Sequence, residues 1–178
     1  TSFNWWYNDI SAPKIMADIL ALLAAGEQKP APSVTAGLME MMAKSDPRKW
    51  TGANKQDIAM HHMIRGCILK NDSIVSTNVS EFFEPICITS GEGIREDLSY
   101  QQHNAQIYIG GYGTVFVNNI SQIAPLFRGT KYALSEDKLK LFSEFVRSTY
   151  LNIFRGRYMD FSVCGRSVTR KKTLDLGD

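Results

Sequence analysis

Ser135-Glu136-Asp137-Lys138-Leu139-Lys140-Leu141-Phe142-Ser143-Glu144-Phe145-Val146-Arg147-Ser148-Thr149-Tyr150-Leu151-Asn152-Ile153-Phe154-Arg155-Gly156 decides the fold. Ser135 is a good N-cap residue, and Glu136 and Asp137 place negative charge where a helix N-terminus is positive. Leu139, Phe142, Phe145, Val146, Tyr150, Ile153 and Phe154 then recur three or four positions apart, the period of a helix with one apolar face, and Gly156 supplies a stop. The spacing predicts one long helix from Ser135 to Gly156.

The same period extends outward from this stretch. Thr114 to Phe127 reads as a helix with Val115, Phe116, Ile120, Ile123 and Leu126 apolar; Pro125 disturbs its last turn and Gly129 ends it. Upstream, helices are expected from Pro13 to Gly26 and from Ser33 to Ala43, the second broken by Ser45-Asp46-Pro47. Both read as core-facing, with the methionines of the second, Met39 and Met42, as packing. Thr51-Gly52-Ala53-Asn54 leads into a helix reaching about Lys70, and Asp72 or Ser73 starts another that runs to Phe83 before Pro85. Thr89 to Asp97 is a loop containing Gly91 and Gly93. Long helices joined by loops, with no sustained period-two alternation, predict an all-α domain built of antiparallel helix hairpins.

The 178 residues are enough for one domain, residues 1–178, with its own core. Twenty Lys+Arg against 18 Asp+Glu leave a net charge of +2, which gives no bulk electrostatic case for nucleic acid, so an anionic ligand must be held by local clusters. Cys67, Cys87 and Cys164 show neither a disulfide framework nor zinc-ligand spacing, and no metal site is expected. No apolar run approaches the length of a membrane span. The chain opens at Thr1-Ser2-Phe3 without an initiator Met or a leader pattern, and is expected to be a trimmed or partial chain. His61 and His62, adjacent on one helix, are expected to point apart and are assigned no chemistry.

Several stretches carry residue types suited to a reaction. Asn4-Trp5-Trp6-Tyr7 masses aromatics before the first helix, either as a core anchor or as flat faces for sugar rings. Asn54, in the first turn of its helix, either caps it or turns its amide and the neighbouring free N–H groups toward an anion. Gln101-Gln102-His103 and Gly110-Gly111-Tyr112-Gly113 set one imidazole and one phenol near each other in sequence. Tyr158-Met159-Asp160-Phe161 is followed by Gly165-Arg166 and Arg170, two guanidinium groups. An imidazole, a phenol and two cations suit removal of a proton beside a carboxylate. A hydrolase would instead need two positioned carboxylates; Asp160 is a candidate but has no evident partner. The basic Arg170-Lys171-Lys172 reads as solvated.

Taken in order, Asn4-Trp5-Trp6, Thr51-Gly52-Ala53-Asn54, Gln102-His103 with Tyr112, and Tyr158-Met159-Asp160-Phe161 with Gly165-Arg166 and Arg170 resemble the bacterial chondroitin AC lyases. These belong to the polysaccharide lyase family that also contains hyaluronate and xanthan lyases. The resemblance spans nearly the whole chain. It implies part of an incomplete α/α toroid, the helical portion of a larger enzyme whose remaining β-sandwich portion is not in this chain.

The activity it implies is β-elimination on an acidic glycosaminoglycan, chondroitin sulfate or hyaluronan, leaving a double bond between C4 and C5 of the uronate with no cofactor. By resemblance, Asn54 and His103 hold and neutralise the uronate carboxylate, Tyr112 is the catalytic tyrosine, Arg166 is the arginine of the catalytic tetrad, Arg170 is a second arginine in the cleft, and Asn4, Trp5 and Trp6 belong to the sugar-stacking patch. A glutamate of the family's set comes from the β-rich portion. A close guanidinium favours the phenolate form of a tyrosine, which fits Tyr112 as the base, with His103 the rival base. The alternative function is a carbohydrate-binding helical fragment that is catalytically incomplete. The polymers implied as substrates lie outside cells, so a periplasmic or extracellular location is expected; the oligomeric state is not legible.

Overall fold

The computed structural model describes residues 4–26 and 30–176; Thr1-Ser2-Phe3 lie outside them. The chain forms two compact units, Thr1–Phe82 and Phe83–Asp178.

In the first unit α1 (Ala12–Ala25) packs on α2 (Pro32–Met42) and on α3 (Gly52–Ile68), and α4 (Asp72–Phe83) follows. Helix begins at residue 5, earlier than the Pro13 start expected, so the aromatic cluster lies within helix and not before it. A π-turn at Tyr7–Ser11, in which Ala12 donates its N–H to the Tyr7 carbonyl, joins this first turn to α1. Pro13 has no N–H to give, and the Asp9 carbonyl four residues before it is met by His61 Nε2 instead. One stripe of α1, Pro13, Ala17 and Leu20, is buried. Ile15, Ile19 and Leu22 form a second stripe that is exposed within the described residues, so only one of the two apolar faces in the sequence meets the core.

Met39 and Met42 join Ala17 and Leu20 in that core, as packing. Helix α3 is buried along most of its length although many of its residues are polar. Its buried charges are paired, Asp57 with Lys14 at 2.8 Å and Lys55 with Glu81 at 2.9 Å, as burial demands. It ends with Lys70 in the left-handed region (φ +51°), Asn71 N–H returning to the Gly66 carbonyl, and Asn71 Oδ1 accepting from Ile74 N–H to start α4.

His61 and His62 do not diverge. Their rings lie 4.5 Å apart, and both Nε2 atoms come within 3.2 Å of Ser45 Oγ. Ser45 reaches both because it stands in the turn after α2, against the α3 face that carries them, and the Asp9 carbonyl also meets His61 Nε2 and the Ser45 carbonyl His62 Nε2.

The second unit opens with a ribbon of β1 (Gly93–Ile94) and β2 (Tyr100–Gln101), antiparallel, with Gly93 opposite Gln101. Then come α5 (Thr114–Ile123), α6 (Glu136–Ser148), and a second ribbon of β3 (Phe154–Arg155) and β4 (Tyr158–Met159). Its core is aromatic: Tyr100, Phe116 and Phe145 are fully buried, with centroids 5.2 to 6.1 Å apart, each such burial contributing about 1.5–3 kcal/mol. Pro125 converts the end of α5 to a 3-10 turn at Ala124–Phe127, as its missing N–H requires. The long helix is shorter than expected. It stops at Ser148, Asn152 Nδ2 donates to the Ser148 and Arg147 carbonyls, and Tyr150–Ile153 tightens to a 3-10 turn. Gly156 (φ +61°) makes the turn between β3 and β4 instead of closing a helix.

Candidate active site

After β2 the chain doubles back through two successive left-handed residues, His103 (φ +58°) and Asn104 (φ +65°). Such backbone costs about 1–3 kcal/mol per residue and persists where its surroundings over-determine it. Here Glu92 Oε1 accepts the Asn104 N–H at 3.2 Å, Gln102 N–H donates to the Gln106 carbonyl, and the fully buried Gln102 side chain accepts from the Tyr100 hydroxyl at 3.1 Å. The imidazole is thereby presented from a fixed loop.

Tyr112 stands in a π-turn, Ile109–Gly113, that feeds into α5; Gly113 N–H reaches back five residues to the Tyr108 carbonyl at 3.0 Å. Single π-turns of this kind recur at functional sites. Glycines let a neighbour approach the backbone closely. What approaches them is the protein itself: a Cβ at Gly110 would overlap Met159 Sδ, and one at Gly111 would overlap the Tyr108 ring.

Loop and π-turn place His103 Nε2 3.0 Å from the Tyr112 hydroxyl, the rings edge-on with centroids 5.0 Å apart. The 3-10 turn Gly165–Thr169 brings Arg166 Nη2 to 3.4 Å from the same oxygen. Burial, and next the Arg166 charge, hold His103 below the ordinary histidine range against the opposing pull of Glu92. The imidazole is therefore neutral at pH 7, a donor or an acceptor and not a cation. With Arg166 donating to the phenol oxygen, the phenol proton is directed at His103 Nε2 when that nitrogen is the unprotonated one. His103 and Tyr112 form a pair across which a proton can pass, with the Arg166 charge beside it. An open cleft of about 550 Å³ lies against Arg166, walled by Gln106, Ile107, Phe161 and Val168.

The other expected residues have surroundings of their own. Arg170 is exposed and lines a pocket of about 350 Å³ with Tyr158, Phe161, Val168 and Lys172. Asp160 is a cap: Ser162 N–H and Oγ both donate to its Oδ1, and those bonds, the hydroxyl's first, hold its carboxyl below the usual range, unlike a general acid. Asn54, buried in the first turn of α3, and Asn4, Trp5 and Trp6 belong to the first unit. Asn4 Oδ1 accepts the Tyr7 N–H, so Asn4 caps the first helical turn. Trp5 stacks on Trp50, centroids 4.0 Å apart and planes 20° apart, while Trp5 and Trp6 stay 40% and 47% exposed. Trp50 escaped the sequence reading; its signal was a lone tryptophan just before Thr51-Gly52-Ala53-Asn54. Among the described residues no group of three or more His, Cys, Asp or Glu is placed to hold a metal ion.

The family described as "Polysaccharide lyase family 8, N terminal alpha-helical domain" matches residues 1–177, and the chain belongs to it. It is similar to the chondroitinase-AC of Pedobacter heparinus, 39% identical over 175 residues that cover 98% of this chain and 25% of the relative. The hyaluronate lyase HylB of Cutibacterium acnes is 26% identical over 185 residues, 94% of this chain and 23% of the relative. A solved structure of chondroitinase AC lyase in oligosaccharide complexes superposes with a TM-score of 0.93 at 39% identity, over 98% of this chain and 26% of that one. The expected fold class stands: the chain is mostly helical and has the fold of part of an α/α toroid lyase. It spans about a quarter of the length of the relatives it matches.

Proposed function

We propose that this chain is the helical domain of a longer polysaccharide lyase that cleaves acidic glycosaminoglycans, chondroitin sulfate or hyaluronan, by β-elimination. The observation that carries the reading is one phenol oxygen held between His103 Nε2 at 3.0 Å and Arg166 Nη2 at 3.4 Å, in a chain of this family. Relatives named for chondroitin and hyaluronate cleavage support the substrate class. The polymers lie outside cells, so the protein acts in the periplasm or beyond the cell surface.

The uronate C5 proton is weakly acidic because its loss piles charge onto an existing carboxylate, so neutralising that charge is the main task. Asn54 and His103 donate hydrogen bonds to the carboxylate. Tyr112, with Arg166 donating to its oxygen, takes the C5 proton; the electron pair forms the C4–C5 double bond, the bond from C4 to the glycosidic oxygen breaks, and Tyr112 returns the proton to that oxygen. Arg170 adds positive charge for the polymer, and Asn4, Trp5 and Trp6 form the stacking platform. The β-rich portion of the full-length protein supplies a glutamate to the set.

The test is ultraviolet absorbance of the unsaturated uronate when the full-length protein is mixed with chondroitin sulfate or hyaluronan. Tyr112→Phe lowers turnover by at least about a hundredfold, with polymer affinity held within a few-fold. Absorbance that rises equally with the variant removes Tyr112 from the reaction. The partly exposed stack of Trp5 on Trp50 favours one second reading, sugar binding without turnover; polymer retained with no absorbance from the full-length protein would select it.

A further inference from the structure

Arg166 is an exposed side chain whose contact with Tyr112, at 3.4 Å, is at the long end of hydrogen bonding. A long flexible cation on a surface holds such a position only if its backbone is fixed. What fixes it is Tyr108.

Tyr108 is 2% exposed and touches the residue on each side of Arg166. Its ring lies so close to Gly165 that a Cβ there would stand 2.6 Å from Cγ, and its hydroxyl meets Ser167 Oγ at 2.5 Å. On the Tyr112 side, the same ring lies where a Cβ at Gly111 would come within 2.3 Å of Cε2, and it meets the Tyr112 ring edge-on at 4.9 Å. The Tyr108 carbonyl also accepts the N–H groups of Gly111 and Gly113, which close the π-turn. One side chain is thus wedged between the segment that carries the phenol and the segment that carries the guanidinium.

We infer that Tyr108 is a positioning residue for the reaction proposed above: by gripping Gly165 with its ring and Ser167 with its hydroxyl, it sets where the Arg166 guanidinium meets the Tyr112 oxygen. The inference rests on the lyase reading. The charged and titratable groups around that oxygen in this unit are His103, Arg166 and, behind His103, Glu92. Tyr108 grips both neighbours of Arg166, whereas its ring meets the His103 ring with centroids 6.3 Å apart. Releasing the Ser167 bond therefore changes the cation's placement and leaves the imidazole's own loop alone.

The experiment compares Tyr108→Phe and Ser167→Ala in the full-length protein, each removing one hydroxyl of the pair, with Ser167→Thr restoring it. The lost placement lowers kcat about tenfold with little change in KM. A guanidinium displaced from the site depresses His103 less, so the acid-side limb of kcat/KM, set by the neutral imidazole, moves to higher pH. Ser167→Thr recovers both, and the double variant is no worse than either single one. Should Tyr108→Phe fail to fold, Ser167→Ala, on a partly exposed turn, carries the test. Unchanged kcat and pH profile in an active enzyme overturn the inference and leave the lyase reading standing. A lower kcat with an unmoved limb also overturns it, since that is what loosened structure alone produces. A wild-type protein that forms no unsaturated product removes the lyase reading on which the inference stands.

Discussion

Gly165 combines a φ of +51° with the face of the Tyr108 ring, so an alanine there meets both backbone strain and a wall. Gly165→Ala should destabilise the protein by about 1–3 kcal/mol, from the left-handed backbone and the forced shift of a packed ring. It should also lower turnover by moving Arg166. A urea-unfolding midpoint with parallel kinetics checks both, and an unchanged midpoint would show that the turn gives way freely. At this scale His103, Tyr112 and Arg166 were legible because an imidazole, a phenol among glycines and a guanidinium announce their chemistry. Tyr108 was not: between Ile107 and Ile109 it reads as one more core aromatic, and its role depends on Gly165 and Ser167, which only folding brings to it. Glu92 was hidden for the same reason. Nothing in the loop Thr89 to Asp97 says which acid will meet the Asn104 N–H.

Apolar spacing marks where helices exist more sharply than where they end. The pattern through Tyr150, Ile153 and Phe154 kept helical spacing, yet Asn152 turns its amide onto the Arg147 and Ser148 carbonyls and the chain leaves as a 3-10 turn and a strand. A side chain that caps from beyond the last turn is invisible to periodicity. The π-turn at Tyr7–Ser11 hid the earlier helix start in the same way, since Pro13 looked like a beginning and is a continuation. Helix α6 makes one contact that tests its role. Lys138 Nζ donates to the carbonyls of Phe83 at 2.8 Å, Ile86 at 2.9 Å and Glu84 at 3.2 Å, tying the helix to the turn ahead of β1. Lys138→Met keeps the aliphatic stem and removes every donor. A loss of about 1–3 kcal/mol is expected from carbonyls left without it, read by chemical denaturation. A loss under a few tenths would mean that water replaces the ammonium at no cost.

For the molecule as a whole, pH acts through the pair on α3. Burial, and next the neighbouring His62, push His61 down to about 3, and His62 is lowered as well, again chiefly by burial. A histidine in the unfolded chain takes up its proton near 6.5, so between pH 6.5 and 3 the unfolded state binds more protons and stability falls as pH falls. His61 alone should cost about 2 kcal/mol between about pH 7 and pH 5. Urea melts at the two pH values measure it, and His61→Gln should flatten the difference; an unchanged difference would place the acid sensitivity elsewhere. The helical class was legible from spacing because hairpins repeat one signal along the chain. That Asn54 and the tryptophans belong to one unit and the proton-transfer residues to the other was not, since no composition shift marks Phe82 as a boundary. All three tryptophans, Trp5, Trp6 and the stacked Trp50, stand in the first unit, and the cluster around Tyr112 contains none. Indole emission from these 178 residues is therefore a built-in dye for the first unit alone, spectrally separate from Tyr112, so ligand docking on the tryptophans and changes at the phenol report on two different optical channels.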